Sequence, residues 1–143
     1  MLGSQKLTAL RDKIYCISEH LEGIYFLCLS SQFRTEKSDT SSYFFIDNTF
    51  YNDLRLETSR DLSKYYLKFI NFLNNKRDII NNQEKKIKNK VLEQDQTVEP
   101  IETFESKDME DCKFEDLTIV IGKPYLYRHQ NACDHLLIFN NVR

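Results

Sequence analysis

The sequence predicts an α+β fold: a small mixed sheet with hairpins, packed against two amphipathic helices, with a polar insertion at about residues 74–99. Three observations predict it. Two aromatic, β-branched runs, Tyr43–Ile46 and Thr49–Tyr51, flank the dipeptide Asp47-Asn48. Both turn residues tolerate the positive φ that a two-residue hairpin demands. Leu62, Tyr65, Tyr66, Phe69, Ile70 and Leu73 recur at the spacing of one helix face. After residue 73 the composition shifts to Asn, Lys, Gln and Glu, with too few apolar groups to bury a core.

The elements follow in chain order. Ser4 is placed to cap a helix over 4–15, because its hydroxyl can accept from an otherwise orphan backbone N–H. Leu7, Leu10 and Ile14 form that helix's apolar stripe. Leu21 to Leu29 reads as a buried strand or a buried helical turn, and 30–42 as a hydroxyl-rich loop. The hairpin comes next. Thr58 or Ser59 then caps the second helix, with Asp61 in its first turn opposing the dipole. Residues 74–99 continue that helix in frayed form or make a disordered insertion, which Pro100 ends. Thr118–Ile121 is expected to be a strand closed by Gly122, and Pro124–Tyr127 and Leu136–Phe139 are two more extended pieces. The expected organisation is 1–73, an insertion or linker at 74–103, and 104–143.

Composition narrows the function. A chain of 143 residues suits one domain, and 41% hydrophobic with 29% charged residues is a globular balance. The longest apolar run, Ile24–Leu29, is far short of the ~20 residues that span a bilayer, so no membrane partner is expected. Three glycines leave no Gly-rich phosphate loop. A net charge of -2 excludes a uniformly basic nucleic-acid binder. The charge is uneven, however: residues 63–90 carry net +6 and residues 91–117 carry net -8. The four cysteines form no CxxC and no secretory leader stands at the start, so a reduced, intracellular protein is expected.

His129, Cys133 and His135 are the dense set of metal-ligand types, and zinc prefers imidazole and thiolate. A structural tetrahedral site needs four ligands, and Cys112 is a fourth only if the fold brings it close. The alternative is a polar turn with incidental His and Cys. Lys85, Lys86, Lys88 and Lys90 read as phosphate contacts or, more simply, as a solvated stretch. Cys16 and His20, four residues apart, read as unrelated groups at a helix end. No paired carboxylates stand out and no catalytic residue is expected, so the chain does not read as an enzyme. Lys123, Arg128 and Arg143 are basic groups near the last strand turn that could reach DNA phosphates.

Four blocks carry a family resemblance. Leu2-Gly3-Ser4-Gln5 with Leu10-Arg11-Asp12, Ile14 and Cys16 resembles the LGSQ…LRD-x-I-x-C segment of the snRNA-activating protein complex subunit 3 family. Tyr43–Ile46 through Phe50-Tyr51-Asn52-Asp53-Leu54-Arg55 is similar to its FFFI…FYNDMR, and Arg60-Asp61-Leu62-Ser63 to its RDLS. Pro124-Tyr125-Leu126-Tyr127, His129-Gln130, Cys133 and His135 resemble its PYLYCHQGxCEH. The blocks stand in the family's order and leave out 17–42 and 71–103.

The resemblance implies a nuclear transcription-factor subunit in a complex that binds the proximal sequence element of small nuclear RNA promoters. It acts there with a Myb-repeat subunit, a scaffolding subunit and TATA-binding protein, serving RNA polymerases II and III. A protein-interaction scaffold without DNA contact is the alternative. The resemblance also implies a Cys/His zinc domain, with Cys133 and His135 on its C-x-H pair and His129 on its HQ histidine. Arg128 replaces the family's Cys, and Asn131 its Gly. The family's later CxxC pairs do not appear before Arg143, so an incomplete zinc site in a fragment of a longer protein is expected.

Overall fold

The computed structural model describes residues 3–17, 40–88, 102–130 and 133–141. Five strands form one mixed sheet: β1 (Ser42–Ile46), β2 (Thr49–Asp53), β3 (Glu105–Asp108), β4 (Pro124–His129) and β5 (Cys133–Ile138). Their order is β3-β2-β1-β4-β5. Every pairing is antiparallel except β2 with β3, which is parallel. Among the described residues, two α-helices accompany the sheet: α1 (Thr8–Arg11) and α2 (Ser63–Lys88).

The β1–β2 hairpin is the expected one. Asp47 and Asn48 take φ of 47° and 59°, and Ile46 pairs with Thr49. Positive φ at both central residues is the turn whose twist matches the flanking strands. The expected strands at 124–127 and 136–139 are β4 and β5, each extended toward the turn between them. Gln130, at φ 50°, begins that turn and donates its N–H to the Ser41 carbonyl at 3.1 Å.

The sheet's two faces are covered differently. One face is sealed by Leu7, Phe44, Ile46, Tyr51, Met109, Cys112, Tyr125 and Tyr127. The N-terminal arm lies across it. Leu7 N–H donates to the Cys112 carbonyl at 2.9 Å, and Phe114 N–H to the Gln5 carbonyl at 3.0 Å. The other face holds a smaller cluster of Tyr43, Phe50 and Leu62, with Phe45, Leu67, Phe104 and Leu126 packed on it. The start of α2 lies over that cluster, with Tyr66 stacked on Phe50.

Several elements differ from the sequence reading. The first helix is one turn at 8–11 rather than 4–15, because residues 3–7 spend their backbone groups on 112–115. Ser4 therefore caps nothing, although Leu7, Leu10 and Ile14 do enter the core. Thr58 and Ser59 instead share the Thr40 hydroxyl, at 2.9 and 3.2 Å, and α2 begins later, at Ser63. That helix runs to Lys88, so the boundary expected at 73 falls inside it, and the helical alternative holds for 74–88.

Thr118–Ile121 is not a strand. Leu117 and Ile119 do pack inward, but the backbone finds no ladder. The Val120 N–H is taken by the Tyr125 hydroxyl at 2.7 Å. β3, at Glu-Ser-Lys-Asp, was absent from the sequence reading. No β propensity marks it. It forms because β2 offers an open edge, and Glu105 N–H reaches the Asn48 carbonyl at 3.0 Å. The region read as a strand or turn at 21–29 lies outside the described residues.

Candidate metal centre

Strand alternation places the candidate ligands. Side chains two apart on a strand share a face. Tyr125, Tyr127 and His129 therefore point to the sealed face, as do Cys133, His135 and Leu137. His129 pairs directly with Cys133, and Tyr127 with His135. Directly opposed residues sit close enough for their side chains to meet. The two imidazoles stack with ring centres 5.0 Å apart, and Tyr127 stacks on His129 at 5.5 Å. His129 is almost fully buried.

The fourth donor comes from the N-terminal arm. Cys16 lies beside these residues, and the four ligand atoms fall within 4.8 Å of one another. The spacing offers Cys112 as the fourth donor, but Cys16 takes that place. Cys112 is instead a core residue in contact with Leu7 and Met109, and burial pushes its thiol above the ordinary range. The signal that could have singled out Cys16 is the length of the arm: Leu7, Leu10 and Ile14 lay it over the sheet and carry Cys16 to the turn end.

The donor set fits zinc. With Zn–S near 2.3 Å and Zn–N near 2.0–2.1 Å, a tetrahedron has S–S edges of about 3.8 Å, S–N of about 3.6 Å and N–N of about 3.3 Å. Here Cys16 Sγ to Cys133 Sγ is 3.7 Å, Cys133 Sγ to His135 Nε2 is 3.4 Å, and the two histidine Nε2 atoms are 2.9 Å apart. Two thiols and two imidazoles gathered this closely are a donor set that could hold a metal ion, and zinc is an ion that such ligands suit.

The other predicted site residues sit apart from this cluster. Arg128 alternates to the opposite face, where it pairs with Asp134 and its Nη1 donates to the Tyr66 hydroxyl at 2.6 Å. That ion pair raises the Arg128 guanidinium and lowers the Asp134 carboxyl relative to their ordinary values. Lys123 is exposed before β4, with Nζ 5.7 Å from the Tyr125 ring centre. Arg143 lies outside the described residues.

The arm is also held by an ion-pair network. Arg55 donates to both Asp12 oxygens at 2.9 and 2.7 Å and to both Asp53 oxygens at 2.8 Å. Arg11 Nε stands 3.5 Å from Asp53. Burial raises the Asp53 carboxyl, but the hydrogen bonds from Arg55 outweigh it, and the net shift is downward. On the other face, buried Asn52 Nδ2 donates to Ser63 Oγ at 3.1 Å and to Ser106 Oγ at 3.0 Å.

The fold and site define a class: an α+β domain whose arm and last hairpin converge on a Cys2His2 donor set. The family model for snRNA-activating protein complex (SNAPc), subunit 3, matches residues 1–143. The chain belongs to that family. Proteins named snRNA-activating protein complex subunit 3 from Rattus norvegicus, Mus musculus and Bos taurus are each 35% identical to it over 146 residues. Those alignments cover 100% of this chain and 30% of each relative, so the chain spans about a third of their length.

The structure shows what the resembling blocks do for one another. LRD meets FYND-x-R through Arg11, Asp12, Asp53 and Arg55. FYND meets RDLS through Asn52 and Ser63. The LRD-x-I-x-C cysteine meets the HQ-x-x-C-x-H triad in the candidate donor cluster. Among the described residues, no helix is long and apolar enough to cross a membrane.

Proposed function

We propose that this chain is the folded, zinc-tied part of a nuclear transcription-complex subunit that binds the proximal sequence element of small nuclear RNA promoters. In this reading the complex supports transcription by RNA polymerases II and III, with a Myb-repeat subunit, a scaffolding subunit and TATA-binding protein as partners. The observation that carries it is the family match over the whole chain, together with the meeting of the matched blocks in space. Cys16, His129, Cys133 and His135 hold the zinc, which crosslinks the N-terminal arm to the β4–β5 hairpin. The site is structural and the chain is not an enzyme.

Lys123, Arg128 and Arg143 are the proposed phosphate contacts. A net charge of -2 gives the chain little electrostatic hold on DNA, so promoter binding depends on the partner subunits. The test is a mobility shift of a proximal-sequence-element duplex by the reconstituted complex, with and without this subunit, across a salt series. Loss of the shift without the subunit is expected. K123E/R143E should flatten the dependence of log K on log salt by about one per contact removed. An equal shift without the subunit overturns the DNA role. The engagement of Arg128 with Asp134 favours a second reading, a scaffold without DNA contact. DNA crosslinks that fall on other subunits and never on this one would select it.

A further inference from the structure

Helix α2 is apolar on two sides, and the sheet uses only one. Leu67, Ile70 and Asn74 are half-buried on the sheet side. Roughly opposite them, Tyr65, Phe69, Phe72, Ile79 and Ile80 stand at i, i+4, i+7, i+14 and i+15. That spacing draws a single stripe along one helix face. All five side chains are at least half exposed. The stripe is about 22 Å long at 1.5 Å per residue, the length of roughly four helical turns. Scattered surface apolar groups need no explanation, but five large ones aligned on one helix face mark a docking surface.

The charges around the stripe select its occupant. Lys64 and Lys68 border it. Lys76 interrupts it, with Nζ 5.5 Å from the Phe72 ring centre. Over its whole length α2 carries seven basic and two acidic residues. A second copy of the helix would bring like charges together, which disfavours self-pairing. An acidic helix sets its carboxylates against Lys64, Lys68 and Lys76 while its apolar edge covers the aromatic and isoleucine row.

We propose that the outward face of α2 docks an acidic amphipathic helix from another polypeptide of the complex. The surface goes beyond the promoter-binding reading and survives its failure, since a complex that never touches DNA would still use it. It also lies across the sheet from the metal centre, so loss of zinc and loss of this contact are separable.

The experiment places photoreactive benzoylphenylalanine at position 72 of the full-length gene product, within the complex purified from its own cells. The expected result is a crosslink to one helical segment of net negative charge in a different polypeptide. A crosslink to this chain itself, to a second copy or to nucleic acid, or no crosslink at all, overturns the proposal. F69E/F72E supplies the second measurement. It should cut the co-purifying crosslinked partner at least tenfold while leaving the thermal unfolding midpoint of the chain within a few degrees. Partner retention at the normal level, or a collapse of the midpoint that makes the stripe part of the chain's own core, overturns it as well.

Discussion

The two faces of the sheet are made from the same strands and have opposite fates. On one face, Leu7, Phe44, Ile46 and Met109 are fully buried, and an arm, the 3-10 turns at Met109–Asp111 and Phe114–Asp116 and a four-donor cluster close over them. On the other, the cover is the start of α2, while Leu136 and Ile138 on β5 and the outer row of the helix stay exposed. The strands alternate equally well toward both faces, so alternation alone does not make a sealed core. The difference lies in what returns over each face. The arm is tied by backbone bonds to 112–115 and by ion pairs to β2. α2 meets its face through a few aromatic contacts and the Asn52–Ser63 bond.

Substitutions should separate the faces. The largest effect is expected at the metal centre. Cys133→Ser and Cys16→Ser should each abolish stoichiometric zinc and cost several kcal/mol of stability, since structural metal binding is folding free energy. Chelator should lower the melting temperature of the parent chain and leave the variants unmoved. Cys112→Ser should retain zinc, because Cys112 serves the core. Zinc content by elemental analysis and melting curves check all three, and a zinc-free parent chain would remove the centre.

In the sealed face, Phe44→Ala should cost about 3–5 kcal/mol, whereas Phe69→Ala on the open face should stay within about 0.5 kcal/mol. Denaturant titration measures both, and equal losses would break the comparison.

The arm's attachment is next in size. Asp53→Asn should cost about 1–3 kcal/mol, because it strips the buried partner from Arg55 and Arg11. The sign with pH follows. The folded Asp53 and Asp12 carboxyls lie below their ordinary value of 3.8. Their contribution is complete above that value and is lost as the pH falls through the lower folded values. Acid unfolding of Asp53→Asn should therefore be shallower than that of the parent chain. Asp134→Ala, also on the open face, removes the exposed pair with Arg128 and should cost under about 1 kcal/mol.

Much of this was legible in the residues. The Asp47-Asn48 turn, the two last strands, a helix after Leu62 and three of the four metal-ligand candidates follow from local rules, but the face that helix buries does not, since Tyr65 and Phe69 of the expected stripe are exposed. Those rules act within a few residues: a turn's φ, a period of two, a period near 3.6. The matched motif blocks named the family in the same way, as strings. β3 escaped because Glu-Ser-Lys-Asp carries no strand signal and forms on an edge supplied from more than 50 residues away. Thr118–Ile121 failed in the opposite sense: strong local propensity met no partner strand.

The hairpin, the helix, the ligand types at 129–135 and the family follow from the residues alone. Long-range packing settles that Cys16 rather than Cys112 joins the donor set, that Arg128 faces Asp134 and not that cluster, and that α2 keeps a second apolar row outside. Each of these depends on which distant segments the sheet brings together. Hydrophobic spacing says that a side chain seeks cover, but which segment supplies that cover is settled only when the arm, the strands and the helix compete for the same two faces.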